Sequence, residues 1–493
     1  MSMKPQYETY RYTGEICKLN AQSIVECRLP GSEIGSVLAV QAKAVVSECA
    51  CVDGEVRYGG KLLLCIVYED GNKKICRLER GAEFYHKADG AEVTPACFAK
   101  TQLVCENVST RREGSGLYIS VVVGAEIQVY GGKNTEYLAG GEGLALQKQA
   151  ITICKNVCVS GETEGEDEFE TDVLGDILLH SETALATSVQ VKTGELIVEG
   201  ETVVHVCVLK NDNSVCAYER IVPFRMQIPC DEAFGKVRAS ARVQVKSAQL
   251  QASVDEEKGK SKMVLSYTLS ADCFLYSLDE LEVACDAFSP EREIAIKHEN
   301  GTGMYLTNQN KFVQRVGGTA SFGGDLDSEY ALLASVLPSA EISCRKHENG
   351  WEAEGVVTAE VLLGGENGYK SATLSLPFAF PIDSTGDEVE ISAIVCGLNV
   401  RRTKDTAEAE ATLKLCVRSY EKKEWSYIKE TAEGEEYPKT DAAISIYALR
   451  AGEGLWEVAK RLHREPAELK RCNPELAFPV KAGERIFVYR QIK

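Results

Sequence analysis

The sequence lacks both kinds of long apolar segment that carry a chain into or across a membrane. Its first residues, MSMKPQYETYRYTGEI, show no basic start followed by an apolar run, which argues against a secretory signal. No stretch reaches the roughly 18 apolar residues of a membrane span. We therefore expect a protein that stays in the cytoplasm where it is made and has no membrane span.

Metal-binding cysteine pairs are missing as well. The chain has 19 cysteines, but no two of them form a C-x-x-C pair. An odd number of cysteines, spread over a large chain without an export signal, does not indicate a disulfide scaffold. Many of them occupy apolar strand positions, as in LLLCIVY and VVHVCVL, where a thiol serves as a small hydrophobe. We expect reduced cysteines and no bound metal.

Signatures of common enzymes are absent: the sequence contains no H-E-x-x-H, no G-x-S-x-G and no complete phosphate loop. The pentapeptide KHENG occurs twice, at 297–301 and 346–350, and suggests a functional His–Glu pair. Asn-Gly is, however, a strong signal for a tight hairpin turn, so we predict a turn at both places. We expect no enzyme, no catalytic residues and no cofactor.

Positive charge is scarce. The 55 Lys and Arg residues face 74 Asp and Glu residues, and the net charge of -19 argues against a nucleic-acid binder. Residues 441–493 differ, because ten Lys and Arg against seven Asp and Glu make this end +3 and leave -22 on the remainder. The asymmetry indicates a separate terminal module. In the acidic part, the stretch GETEGEDEFE has the composition of a disordered tract.

What the sequence does contain is a repeated β unit. Three segments align in which one strand leads to a glycine, a second apolar strand follows, and a third strand reaches a phenylalanine. The glycine-to-phenylalanine spacings are 24, 24 and 23 residues. The pairs are Gly60 and Phe84, Gly200 and Phe224, and Gly355 and Phe378.

Each copy continues with two alternating runs across a polar turn, the signature of a β-hairpin, and ends near a tyrosine: Tyr130, Tyr276 or Tyr420. The unit is about 140 residues long, and its many short strands favour a β-sandwich or a partly closed, barrel-like sheet. The predicted fold is mainly β. Its predicted parts are β domains at 1–145, 146–288 and 289–430, a linker at 431–442 and a terminal module at 443–493.

The triplicated unit resembles the SPOCS domain of spore-coat-associated proteins from endospore-forming Firmicutes. The residues that carry this resemblance are the G-E-V/L-x-x-x-G strand, the apolar strand after it, and the V-P-F or L-P-F third strand. The resemblance spans most of residues 1–430. It implies a protein of the sporulating mother cell, at the surface of the forespore or the spore coat.

The terminal module alternates strand and helix. The segment LWEVAKRL places Leu455, Val458, Ala459 and Leu462 on one helical face. A second short helix begins with Pro466 at its first position, where a missing N–H costs nothing. The pair Asn473-Pro474 ends that helix, and VKAGERIFVYR supplies a turn and a closing strand. The predicted order is therefore strand, helix, helix, strand.

This order resembles the LysM domain, whose pattern is Y-x-V-x-x-G-D-T/S-L-W-x-I-A. The pattern is met by Tyr447, Leu449, Gly452, Glu453, Leu455, Trp456, Val458 and Ala459, and Leu469 with Asn473-Pro474 matches the L-x-x-x-N-P signature. LysM domains bind N-acetylglucosamine chains of peptidoglycan or chitin between two loops. The resemblance implies a groove formed by Gly452, Glu453, Gly454, Leu455, Asn473, Pro474, Glu475, Leu476 and Ala477.

The module departs from the LysM pattern at two positions. Glu453 stands where the family has aspartate, and Gly454 stands where threonine or serine caps the first helix. A glycine cap costs only a few tenths of a kcal/mol, so the fold should persist, but the hydroxyl is lost. We expect Trp456 to pack in the core of the module.

Two functions follow from these resemblances. The first is a non-enzymatic assembly protein that tethers coat components at the forespore surface, because in SipL-type coat morphogenetic proteins a LysM domain after a SPOCS region contributes to docking on an ATPase of the coat basement layer. The alternative is a cell-wall or cortex protein that binds peptidoglycan. Which partner meets which β domain, the oligomeric state and any cysteine crosslinking in the coat stay open at this point.

Overall fold

The computed structural model describes residues 3–30, 34–114, 116–255, 260–323, 329–348, 350–403, 406–438, 444–481 and 483–489. Within these residues the chain forms twenty strands, all in antiparallel sheets, and two short helices. The prediction of a mainly β protein is confirmed. Neither helix, at eight and seven residues, has the length and apolar character needed to cross a membrane.

Eighteen of the strands fall into three sets of six. Set 1 contains β1 (Lys4–Pro30), β2 (Ile34–Val52), β3 (Glu55–Asp70), β4 (Ile75–Asp89), β5 (Phe98–Glu113) and β6 (Gly116–Glu142). Set 2 contains β7 (Ala145–Thr171), β8 (Gly175–Lys192), β9 (Glu195–Lys210), β10 (Val215–Pro229), β11 (Arg238–Asp255) and β12 (Lys260–Phe288). Set 3 contains β13 (Arg292–Gly323), β14 (Ala331–His347), β15 (Gly350–Gly365), β16 (Gly368–Ile382), β17 (Glu388–Thr403) and β18 (Thr406–Glu436).

The same strand order recurs in the three sets. In set 1 the first strand pairs with the sixth and the sixth with the fifth, while the second, third and fourth strands form another sheet. Sets 2 and 3 repeat both orders, and set 3 also joins its two sheets where 321–323 pair with 373–375. None of these sheets closes on itself within the described residues. In each set the inward faces of the two sheets share one hydrophobic cluster.

The repeated glycine and phenylalanine are direct cross-strand partners. Their pairing explains the constant spacing, because the ring of each phenylalanine lies over the glycine opposite it. A Cβ atom at the glycine would lie 2.7 Å from the ring in set 1, 2.4 Å in set 2 and 2.6 Å in set 3. The pairs are Gly60 and Phe84, Gly200 and Phe224, and Gly355 and Phe378.

In the sheet formed by the first, sixth and fifth strands of each set, the first and sixth strands extend beyond the fifth as a two-stranded arm. Each arm begins near the tyrosine at which the fifth strand stops pairing: Tyr130, Tyr276 or Tyr420. These tyrosines belong to one buried cluster with Phe274 and Leu306. Further along, the arms share a second cluster whose buried members come from all three sets, namely Tyr137, Ile151, Ile153, Cys154, Val283, Trp425 and Tyr427. The arms of the three sets therefore pack against one another.

The second sheets also meet. The fourth strand of set 1 contacts the second strand of set 2, the fourth of set 2 contacts the second of set 3, and the fourth of set 3 contacts the second of set 1. One buried cluster contains residues from all three second strands, including Leu38, Leu178 and Val336. The three sets thus form a closed ring of contacts, each meeting the next in the same way.

Two expectations from the sequence are corrected. The acidic stretch GETEGEDEFE is not a disordered tract: it lies in β7 and pairs with β12. Basic side chains neutralise it, with Lys262 Nζ at 2.8 Å from Glu168 and Lys246 Nζ at 2.8 Å from Glu162. Local composition did not predict this strand, because the lysines that neutralise it are distant in sequence.

The two KHENG segments differ. The second ends β14 and begins β15, as expected for a hairpin turn, although its Asn349 lies outside the described residues. The turn predicted at 297–301 is wrong, because this segment lies inside β13 and pairs with β18. Gly301 lies opposite Trp425, where a Cβ atom would be 2.2 Å from the indole nitrogen. The glycine makes room for a ring rather than for a turn.

The C-terminal part contains β19 (Ile444–Ala448), α1 (Leu455–Leu462), α2 (Pro466–Cys472) and β20 (Arg485–Tyr489). The predicted order of strand, helix, helix, strand is confirmed, with Pro466 at the start of α2. We refer to residues 444–489 as the terminal module. Of the predicted linker 431–442, residues 431–436 pair with β13. Residues 439–443 lie outside the described part of the chain.

Candidate functional site

The terminal module is a small fold built around one hydrophobic cluster. The strands β19 and β20 pair along their whole length, and both helices pack on one face of this sheet. The predicted apolar face of α1 is confirmed, since Leu455, Val458, Ala459 and Leu462 all contact the cluster. Its other members include Leu449, Leu469, Val480, Ile486 and Val488.

The first predicted wall of the groove is the turn before α1. Gly452 is exposed and has a φ of +84°, which suits glycine. The Glu453 carboxylate accepts hydrogen bonds from the backbone N–H of Arg450 at 2.8 Å and from Arg461 at 3.0 Å. Gly454 caps α1 with extended backbone and no side-chain hydrogen bond. The carboxylate of Glu453 therefore fixes its own loop.

The second predicted wall follows α2. Asn473 is buried, its Nδ2 donates to the Phe487 carbonyl at 2.8 Å, and its Oδ1 accepts the Phe487 N–H at 2.8 Å. The Asn473 amide thus joins α2 to β20. This residue therefore supports the predicted groove and does not line its surface. Of the other members, Pro474, Glu475 and Ala477 are exposed, while Leu476 is half-buried against the cluster.

The structure brings the two loops together at Val480. Its carbonyl accepts the Gly452 N–H at 2.9 Å, and its own N–H donates to the Glu453 carbonyl at 3.0 Å. Leu455 and Leu476, one from each loop, pack on the same cluster. The two predicted walls are therefore parts of one connected surface region.

The terminal module is docked on set 2 through α1. The Trp456 Nε1–H donates to Asp286 Oδ2 at 2.8 Å, and Lys460 Nζ lies 2.7 Å from Asp286 Oδ1. The Trp456 ring meets Phe288 edge to face, with ring centroids 5.1 Å apart. Burial opposes ionisation of Asp286, but the hydrogen bonds from Lys460 and Trp456 still lower its pKa.

This contact changes the interpretation of Trp456. We predicted a core residue of the module; the side chain is half-buried and packs at the edge of the module core and against β12. Asp286 and Phe288 were missed by the sequence analysis. They lie at the end of an ordinary alternating strand, and no local signal marks them as partners of a helix about 170 residues away.

The outer face of the β19–β20 sheet carries four exposed apolar side chains. Ile444 pairs with Tyr489 and Ile446 pairs with Phe487, and their exposed fractions are 56%, 45%, 55% and 39% respectively. The opposite face of β20 is buried through Ile486 and Val488. We call these four residues the apolar face. The alternation of residues in ISIY and RIFVY indicates a strand with one such face, but no exposed apolar face was predicted from it.

A group of three potential metal ligands lies on the β14–β15 hairpin. His347, Glu352 and Glu354 have ligand atoms within 4.8 Å of one another, and no other such group occurs in the described part of the chain. Both carboxylates already face positive or proton-donating groups, since His347 Nε2 is 3.3 Å from Glu352 and Arg345 is 3.6 Å from Glu354. The geometry is accounted for by ion pairing across an exposed hairpin.

The described part of the chain is thus mainly β, with a small terminal module docked on a ring of three strand sets. Comparison with protein families, with curated proteins and with solved structures finds no match for this chain.

Proposed function

We propose that this chain is a non-enzymatic assembly protein of the spore envelope, which tethers coat components at the forespore surface of the mother cell. The three strand sets act as SPOCS-like repeat domains, each a β-sandwich, and the terminal module acts as a LysM-like docking module. The recurrence of one strand order supports the first assignment, and the order β19, α1, α2, β20 supports the second.

The observation that carries this proposal is the apolar face of the terminal module. Ile444, Ile446, Phe487 and Tyr489 are exposed together on one side of a small sheet. Contiguous exposed apolar side chains of this kind are typical of protein interfaces. The docking through Trp456 and Lys460 leaves this face uncovered by any described residue. A protein of the coat basement layer is the partner we expect there.

A pull-down of the purified basement-layer ATPase of the same organism, with this chain as the bait, tests the proposal. The intact chain is compared with a chain that ends at residue 438 and with Phe487→Asp, which places a charge on the apolar face. We expect both to lose most of the recovered ATPase. Ile24→Asp is the matched control, because Ile24 is an exposed apolar strand residue of set 1 and should leave recovery unchanged. Full recovery by the truncated chain would remove the tethering role.

Peptidoglycan binding is the second candidate, supported by the exposure of Gly452, Pro474, Glu475 and Ala477 in the two connected loops. Co-sedimentation of the intact chain with purified peptidoglycan separates the candidates. Binding that is competed by N-acetylglucosamine oligomers and rises in Gly454→Ser, which restores the missing hydroxyl, would favour the glycan function. If neither the intact chain nor Gly454→Ser binds peptidoglycan, the protein partner remains the proposed function.

A further inference from the structure

A polar cavity lies where the three strand sets meet. Its volume is about 460 Å³, within the range of small-ligand sites, and all three sets contribute to its wall. Side chains of opposite charge line it together with Tyr130, Tyr276 and Tyr420. The proposed tethering function does not use this cavity.

Two guanidinium groups in the cavity wall share one carboxylate. Arg242 Nε donates to Glu390 Oε1 at 3.0 Å, and the Tyr420 hydroxyl donates to Glu390 Oε2 at 3.0 Å, so both oxygens already accept. Arg418 is only 2% exposed, and its nearest approach to Glu390 is 3.7 Å. Within the described residues, Arg418 Nε has no hydrogen-bond partner at all. The other two nitrogens of Arg418 donate to neutral acceptors, Ser392 Oγ and the Ala241 carbonyl, each at 3.0 Å, so no carboxylate meets this buried charge directly and a further anion is favoured.

The carboxyl of Glu15, in the same wall of the cavity, lacks a hydrogen-bond donor among the described residues. Its carboxyl makes no hydrogen bond or salt bridge with any residue that the structure describes. Burial raises its pKa, although Lys18, Lys133 and Arg242 act in the other direction from a distance. Glu15 pairs with Tyr130 across β1 and β6, and Tyr130 belongs to the buried tyrosine cluster. An ammonium group suits a carboxylate among aromatic rings.

We propose that this cavity binds a small zwitterion, a free amino acid or a dipeptide, with its carboxylate toward Arg418 and its ammonium toward Glu15. A zwitterion supplies the missing charge of each sign and leaves the net charge of the site unchanged. A simple anion would satisfy Arg418 and leave the Glu15 carboxyl without a hydrogen-bond donor, and a simple amine would leave Arg418 Nε without an acceptor.

The test screens the full chain against the standard amino acids and glycyl dipeptides by saturation-transfer NMR, with titration calorimetry of each compound that binds. At least one compound should bind at one site per chain. Its N-acetyl form and its carboxamide should each bind at least about tenfold more weakly. No binding by any compound at about 5 mM, or equal binding of acetate or phosphate alone, overturns the proposal.

Glu15→Gln assigns the ammonium end. The variant should bind the same compound about tenfold more weakly, and N-acetylation should then cost nothing further. Glu26→Gln is the matched control, since Glu26 is exposed on the same strand, and it should bind as the unchanged protein does. A thermal melt of each variant shows that the fold is retained. Unchanged binding in Glu15→Gln would overturn the assignment.

Discussion

At the scale of single residues, the three glycines opposite phenylalanine show how the sequence repeat becomes structure. Gly60 has the Phe84 ring on one side and the Val45 carbonyl on the other, and a Cβ atom would lie 2.7 Å and 2.6 Å from them. Neither neighbour is the flexible end of a long side chain. The ring covers backbone that a strand glycine would otherwise expose.

Gly60→Ala should therefore destabilise the protein by about 1 to 3 kcal/mol, because the methyl group forces ring and backbone apart. Gly132→Ala is the control: it lies in a strand of the same set and has no atom within 4 Å of the added Cβ. Thermal melts followed by circular dichroism compare the two. A lower Tm for Gly132→Ala than for Gly60→Ala would contradict this explanation of the repeat.

The spacing of glycine and phenylalanine could be read directly from the sequence, but its cause could not. A difference of 23 or 24 residues fits any hairpin of suitable length. Only the register shows that the two residues face each other. The same limit applies at Gly301, where Asn-Gly predicted a turn and the partner ring of Trp425 lies more than 120 residues away.

At the level of elements, the docking of α1 on β12 combines the apolar contact of Trp456 with Phe288 and the hydrogen bonds to one carboxylate, that of Asp286. Asp286 accepts from both Trp456 and Lys460, and nothing else in the described chain bonds to its side chain except the next backbone N–H, that of Ala287. A charge-assisted hydrogen bond of this kind contributes more than a neutral one.

Asp286→Asn should loosen the terminal module by about 1 to 3 kcal/mol, because it removes the charge that Lys460 and Trp456 share. Acrylamide quenching of tryptophan fluorescence measures the opening, since Trp351 and Trp425 are buried and Trp456 is at the interface. Quenching should increase in this variant. Glu282→Gln, an exposed position on the same strand, should quench as the unchanged protein does.

The same contact predicts a pH dependence. The pKa of Asp286 is lowered in the folded protein, so its stabilising effect is complete above the ordinary value of about 4 and is lost as the pH falls through the lowered value. Quenching of the intact protein should thus rise in acid below about pH 4, and the rise should be absent from Asp286→Asn. A parallel rise in both proteins would assign the acid effect to other groups.

Local patterns were sufficient for the terminal module, where helix periodicity, Pro466 and Asn473-Pro474 predicted the order of elements. They were insufficient for β7, whose acidic residues are stabilised by Lys246 and Lys262 from other strands. They also gave no indication of the docking surface, because Asp286 and Phe288 have the alternation of any strand end.

At the scale of the whole molecule, the three strand sets are held in a ring by apolar clusters and by ion pairs between sets. Arg242 of set 2 is bonded to Glu390 of set 3, and Arg418 of set 3 donates to the Ala241 carbonyl of set 2 at 3.0 Å. Burial opposes the charge of Glu390, but Arg418 and Arg242 lower its pKa to about 2. The interface between these two sets therefore contains a buried, charged network.

Glu390→Gln should destabilise the protein by roughly 3 kcal/mol, because two buried guanidinium groups lose their shared charge. Glu388→Gln is the comparison, since the pair of Glu388 and Lys18 is about half exposed and should contribute less than about 1 kcal/mol. Urea unfolding at pH 7 distinguishes them. As the pH falls from about 4 toward 2, the difference in stability between the two variants should shrink, because Glu390 of the Glu388→Gln protein is progressively protonated.

The closed arrangement of the sets could not be obtained from one sequence. The alignment of the three copies predicted repeated strands and their approximate ends, and Tyr130, Tyr276 and Tyr420 were singled out as equivalent. That these tyrosines come together in one cluster depends on packing between sets, for which no local spacing exists. The cavity beside them was missed for the same reason.

We propose that the apolar face of the terminal module binds a protein partner. Titration of the purified basement-layer ATPase with the intact chain and with Ile446→Asp tests it most directly, with Ile24→Asp as the control. We predict a Kd at least about tenfold weaker for Ile446→Asp and an unchanged Kd for Ile24→Asp. Equal affinity of all three proteins for the ATPase, or binding by none of them, would show that the apolar face does not bind this partner.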